Sequence, residues 1–275
     1  MTIDALIDPP APVLVEAAAL PAARAAQDAA LDALARLRFH EGLRRGWEEA
    51  RAEATVREAT ALALLLGART SVDDLRLATL EDARTPRDPA MDLAIGLWRS
   101  QTGIASGFAP LNSRTPRRSA PLPIPALLAS IHRDLCSGLV DSGRMGLAGV
   151  AMPTSSGALA PALSYLRAPV PALVRAAAIV AHFRFREVFA PASPAVGAAL
   201  ARRLLVVEGV DPTGCCAISA LDAQDPAGAS AALAGWVRAD AEGVARWIAR
   251  FCESVVHGAR AGQDVALHVQ AGRLG

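Results

Sequence analysis

The chain has 275 residues, with 28 basic and 27 acidic side chains and a formal charge of +1. Every basic residue is arginine, which excludes a P-loop lysine on a β/γ-phosphate, a pyridoxal-phosphate Schiff base and a kinase-type lysine pair. Near-neutrality excludes the gathered basic face of a dedicated nucleic-acid binder, and the length suffices for one large domain or two small ones. Hydrophobic residues make up 52% but aromatics only 4%, so alanine carries the apolar fraction. Alanine favours helix over strand, and the expected class is all-α.

The prolines at 9, 10 and 12 predict a loosely ordered lead-in over residues 1–15. A helix is expected from Pro21 to the Arg38–Gly42 region. A longer one follows from Gly42 to Leu66, its charges (Glu48, Glu49, Arg51, Glu53, Arg57, Glu58) read as an outer face. Gly67 ends it as a C′ glycine, and Ser71 caps the next helix with Asp73 and Asp74 at its positive end. Pro89–Ser100 is helical. Gly103–Pro125, holding Arg114, Arg117 and Arg118, reads as a surface loop. Pro125–Leu139 is helical and Val140–Pro169 mostly irregular. Pro171–Glu187 and Ala195–Glu208 form the next helices, the second ending at Gly209. Val244, Trp247, Ile248, Phe251 and Val255 form an apolar stripe on a last helix, Ala241–Ala261.

The longest charge-free stretch, Met145–Leu166, is broken by Pro153, Pro161 and three glycines, so no membrane span is expected. Asp4 and Asp8 stand where a signal peptide would carry basic charge, and none is expected. Cys136, Cys215, Cys216 and Cys252 show no disulfide or zinc spacing, which points to a reduced, cytoplasmic protein.

One segment carries most of the functional signal: AAAIVAHFRFREVFAPASPAVGAALARRLLVVEGVDP. It reads as helix, tight loop, helix, with Ser193 at an N-cap and Pro194 at N1. A helix N-terminus facing a loop offers unpaired N–H groups to an anion. This segment resembles the core of the Fic/Doc (Fido) family, in which an H-x-x-F-x-x-I pattern precedes an HPFxDGNGR loop. His182, Phe185 and Val188 match the first pattern, and Gly209-Val-Asp-Pro resembles the turn after the second helix. Glu58–Leu75 resembles the segment holding the family's (S/T)xxxE(G/N) inhibitory motif, and AEGVARWIARFCESVVHGAR resembles the closing helix of actinobacterial Fic-like proteins.

The resemblance implies a Fic-like helical bundle with an N-terminal helical extension. Residues 1–85 would form the extension with the inhibitory segment, and 86–275 the core and closing helix. It also implies an ancestral activity, transfer of AMP from ATP to a protein hydroxyl. The signature loop itself departs from the family. Counting forward from His182 places Phe189 at the catalytic histidine, Ser193 at the acidic residue and Gly197 at the arginine. Counting back from Gly209 needs a shorter loop, so the register stays open. No histidine stands between His182 and His257 to act as base. Leu62 and Leu66 replace the Ser/Thr and Glu of the inhibitory motif, before Gly67.

The expectation is therefore a non-catalytic protein-binding or regulatory module, with a protein partner and a homodimer compatible with the chain, and with no nucleic acid, membrane, metal or cofactor. The competing expectation is a transferase that still binds a nucleotide through Arg184, Arg186, Arg202 or Arg203, with ATP and Mg²⁺. Three structural expectations follow: no sheet larger than a hairpin, His182 and Phe189 flanking one helix end, and Leu62 and Leu66 packed on the helix–loop–helix.

Other candidates have bland accounts. His182 on an apolar helix is expected to be a hydrogen-bonded core histidine. His132 and Cys136 have the i, i+4 spacing of two metal ligands but lack further ligands nearby. Cys215 and Cys216 read as small hydrophobes, and Trp47, Trp98, Trp236 and Trp247 as core packing. Arg114, Arg117 and Arg118 belong to a solvated loop, and Ser155-Ser156 lacks a nucleophile-elbow frame.

Overall fold

Alanine-rich segments fold as helices throughout the described residues. The computed structural model describes residues 8–81, 85–112, 122–155 and 157–273; Asp4, Arg114, Arg117, Arg118 and Ser156 lie outside them. In chain order the helices are α1 (Ala11–Ala19), α2 (Pro21–Arg38), α3 (Leu43–Leu65), α4 (Val72–Leu80), α5 (Pro89–Ser106) and α6 (Ile124–Asp141). They continue as α7 (Ala160–Arg167), α8 (Ala172–Phe185), α9 (Ser193–Val207), α10 (Ala220–Gln224), α11 (Pro226–Val237) and α12 (Ala241–Gln270). The described residues hold no strand, only an isolated antiparallel bridge between Pro153 and Phe189. The fold is all-α. No helix among the described residues is long and apolar enough to cross a membrane.

The 30-residue α12 is the spine and spans about 45 Å at the α-helical rise. Its stripe, Val244, Trp247, Ile248, Phe251 and Val255, is buried, and it packs on α2, α3, α8 and α11. Ten of the fourteen residues of α8 are buried, so this helix is enclosed by its neighbours on most of its surface. Trp247 joins the two, its indole N–H donating to the Ala177 carbonyl at 2.7 Å. One hydrophobic cluster runs from Leu14 to Ala266 and joins residues on both sides of position 85.

Helix ends follow the sequence closely. Ser71 Oγ accepts the Asp74 N–H at 3.0 Å. Gly67 and Gly209 both adopt positive φ, 81° and 72°. Ala68 N–H donates to the Ala63 carbonyl after Gly67, and Val210 N–H donates to the Leu205 carbonyl after Gly209. Those bonds close a Schellman motif at each end, a geometry glycine adopts without steric cost. Two other glycines allow close contact between neighbouring helices. A Cβ on Gly96 of α5 would lie 1.9 Å from the Leu135 carbonyl oxygen, and one on Gly138 of α6 would lie 2.2 Å from that of Asp92.

Several expectations are corrected. The lead-in gives way to α1 at Ala11, because Pro12 falls in its first turn, where a missing N–H costs no hydrogen bond. Helix α5 continues to Ser106, so the following loop starts later than Gly103. Part of the irregular stretch before Pro169 is α7, and α12 extends past Ala261 to Gln270. Helices α10 and α11 were not expected at all. Asp225 caps α11 by accepting the Gly228 N–H at 3.0 Å, with Pro226 in the first turn.

The charged face of α3 is also revised, since Arg51, Glu53 and Glu58 are buried. Distant segments supply their partners. Arg51 donates to the carbonyls of Thr213, Ala109 and Pro212. Glu53 accepts from Arg57 and Arg76, and Glu58 accepts both the N–H and the hydroxyl of Ser219, which precedes α10.

Candidate functional site

The segment resembling the Fic core folds as expected in outline, helix α8, a tight loop, then helix α9. Its details differ from the anion-binding arrangement. Ser193 is not the N-cap. Ala192 occupies that position in the left-handed region (φ 66°), with no side-chain cap. Ser193 is buried and turned back into the loop, where its Oγ accepts the Val188 N–H at 3.1 Å and donates to the Arg186 carbonyl at 2.9 Å. At the start of α9 the Ala195 N–H donates to the Ala192 carbonyl, and Pro194 has no N–H to give. A neighbouring segment covers the loop from outside. Thr154 N–H donates to the Val188 carbonyl at 2.9 Å, and its hydroxyl donates to the Glu187 carbonyl.

Phe189 is buried beside this bridge. Its ring lies 4.9 Å from the His132 ring and stacks on Phe183 at 6.5 Å between centroids. A Cβ on Gly197 would meet the Phe183 side chain at 2.4 Å, so α9 crosses α8 at close range there. Phe185, at the end of α8, is half-buried under the Arg186 guanidinium, 4.8 Å from its ring. His182 stands one turn before the end of α8, and Phe189 in the loop beyond.

His182 is buried between two acceptors. Nδ1 lies 2.9 Å from Asp8 Oδ1, and Nε2 lies 3.0 Å from the Ala158 carbonyl. The two contacts fix the ring between the segment leading into α1 and the one before α7. Asp8 belongs to the segment leading into α1, which is also held by the Tyr165 hydroxyl donating to the Pro9 carbonyl at 3.1 Å.

His132 has the opposite environment. Its Nδ1 accepts the Ala151 N–H at 3.0 Å, and Nε2 lies 3.3 Å from Cys136 Sγ. Burial holds its pKa below the ordinary 6.5, against a smaller opposing effect of the Pro191 and Ala190 carbonyls. Among the described residues no group of three or more His, Cys, Asp or Glu is placed to hold a metal.

The pH consequence has a definite sign. Because the folded pKa of His132 is depressed, the unfolded chain binds the additional proton. This contribution to stability is complete above pH 6.5 and is lost as pH falls toward the folded value. The melting temperature is therefore expected to decline between about pH 7 and pH 5, and His132→Gln should flatten that decline. Equal slopes in the two proteins would refute this assignment.

The candidate phosphate arginines serve different elements. Arg184 pairs with Asp222 at 2.6 Å and lies over the Trp247 ring. Arg186 lies 3.5 Å from Asp8. Arg202 is buried, donating to Gln101 Oε1 and to the Gly214 carbonyl. Arg203 is half-buried on the next position of α9. Leu62 is buried and Leu66 half-buried at the end of α3. The main partners of α3 as a whole are α5, α12 and α10.

Sequence reasoning missed a second site. A cleft of about 580 Å³ is lined by residues of α3 and α5 and, just beyond α5, by Phe108 and Pro110. Trp236 and Trp247 are core residues, whereas Trp47 and Trp98 are half-buried and line this cleft. The signal was present in α3, where Trp47, Arg51 and Thr55 recur every fourth residue and share one face. Arg51 lies under the cleft, its guanidinium 4.7 Å from the Trp47 ring and 5.5 Å from Phe108. Burial lowers its pKa, partly offset by the carboxylates of Asp211 and Glu48 nearby.

No family model and no curated protein matches the chain.

Proposed function

We propose that the chain is a non-catalytic protein-binding or regulatory module built on a Fic-like helix–loop–helix. The ancestral chemistry is AMP transfer from ATP to a protein hydroxyl, and the partner is a protein, with an active homologue as one candidate class. One observation carries this proposal: the loop of α8–α9 uses its own polar groups. Ser193, at the position of the family's Mg²⁺-binding acid, is bonded to Val188 and Arg186. Neither this hydroxyl nor the first turn of α9 fits a nucleotide with its Mg²⁺, which needs carboxylate oxygen and free N–H donors. Arg184, Arg186 and Arg202 are engaged within the protein, which supports the same conclusion.

The test is incubation of the chain with labelled ATP, Mg²⁺ and a lysate, beside thermal shift with ATP. No covalent labelling and no ligand-dependent shift are expected. A ligand at 100 times its dissociation constant would add about 2.7 kcal/mol to stability, so binding would be plain. Phe189→His is also expected to leave labelling at background. The new imidazole would sit against Phe183 and His132, and each missing transition-state donor still costs on the order of 10²–10³ in rate. Labelling by that variant, or by the unmodified chain, would replace the module with an active transferase.

A further inference from the structure

The cleft between α3 and α5 has no role in the α8–α9 argument. We propose that it binds a small aromatic amine, the flat apolar body lying between Trp47 and Trp98 and the protonated nitrogen meeting Glu48. Its volume of about 580 Å³ falls in the range of small-molecule pockets, about 300–1,000 Å³. The two indoles stand on different helices, both half-buried, and the buried Phe108 also lines the cleft. Such a slot takes a planar body, and aromatic faces also attract cations.

The polar lining sets the chemistry of the rest of the ligand. Thr55 Oγ1 donates to the Ala52 carbonyl at 2.6 Å, and Ser106 Oγ donates to the Gly103 carbonyl at 2.7 Å. Thr55 Oγ1 is buried and also accepts the Thr102 hydroxyl at 3.5 Å, whereas the exposed Ser106 hydroxyl, its hydrogen engaged, offers lone pairs to a donor. Arg51, the cation of the lining, is directed at the carbonyls of Thr213, Ala109 and Pro212 and lies over Trp47. Glu48 is exposed at the rim and forms no salt bridge among the described residues. Arg51 keeps its positive charge and feels that of Glu48, but it is buried, so the charge exposed to a ligand at the rim is the negative one of Glu48, and the Ser106 hydroxyl adds acceptor capacity. Both features fit an amine and disfavour a carboxylate.

Three probes with one skeleton separate the terms: 4-phenylbenzylamine, 4-biphenylmethanol and biphenyl-4-carboxylate. Each is titrated into the full chain, with tryptophan fluorescence and thermal shift as readouts. The expected result is saturable binding with the amine tightest. Glu48→Gln should weaken the amine about two- to fivefold, to the level of the alcohol, as for an exposed ion pair. Trp98→Leu, checked for native helicity, should abolish saturation. The surface variant at Glu48 keeps the test decisive should Trp98→Leu fail to fold. Absence of saturable binding, carboxylate or alcohol binding as tight as the amine, or an amine affinity unchanged by Glu48→Gln would each overturn the proposal.

Discussion

Asp222→Ala is expected to lower the free energy of unfolding by about 3–5 kcal/mol, the cost of removing one partner from a buried ion pair. Asp222 is buried. Its Oδ2 lies 2.6 Å from Arg184 and its Oδ1 lies 2.9 Å from Arg250, with Ser254 at 3.4 Å. Removing the carboxylate leaves two largely buried guanidinium groups. Arg250 retains Asp225 at 3.1 Å, whereas Arg184 retains chiefly the face of Trp247. Asp222→Asn keeps an acceptor but loses the charge, so it should fall between wild type and the alanine variant. Urea denaturation of the three proteins checks the order, and a loss below about 1 kcal/mol in Asp222→Ala would mean that the network contributes no more than an exposed pair.

Gly96→Leu is expected to be comparably damaging for the opposite physical reason, the insertion of atoms. Even the first added carbon would lie 1.9 Å from the Leu135 carbonyl oxygen. The obstruction is backbone, which no rotamer change relieves. Overpacking ordinarily costs about 1–3 kcal/mol, and a contact this short places Gly96→Leu at or beyond the upper end. It would separate α5 from α6 and disturb the reciprocal contact at Gly138. Gly→Ala on an exposed helix face would gain about 1 kcal/mol in propensity, so a net loss in Gly96→Ala isolates the packing effect. Urea midpoints for both substitutions provide the measurement, and a stabilised Gly96→Ala would refute the close crossing.

Local signals made much of the fold legible. Ser71, Gly67 and Gly209 mark helix ends through bonds to residues a few positions away, so composition and order alone reveal them. Helix α11 was missed although Asp225-Pro226 is a start signal, because PAGASAALAGWV carries no charge to outline an exposed face. The charges of α3 misled for a different reason. Arg51, Glu53 and Glu58 have the spacing of a solvated face, yet two of their partners, Thr213 and Ser219, lie more than a hundred residues away. The same limit applied to the site. His182 was legible as a core histidine, but Asp8 was not legible as its partner. Ser193 had the right residue type and the right neighbour for a cap, and tertiary bonds to Val188 and Arg186 outcompeted that local role.

The free cysteines have a practical consequence. Cys136, Cys215, Cys216 and Cys252 are all buried, and burial raises the thiols of Cys136 to about 11 and of Cys215 and Cys252 to about 12. A disulfide reagent attacks the thiolate, which is scarce at neutral pH at each of these sites. Each thiol must therefore await an opening of its surroundings before it reacts. Cys136 reports on α6, the adjacent pair on the turn after α9, and Cys252 on the middle of α12. Without any introduced probe, the order in which the four become modified reads out which parts of the molecule breathe first and which open only when the whole chain unfolds.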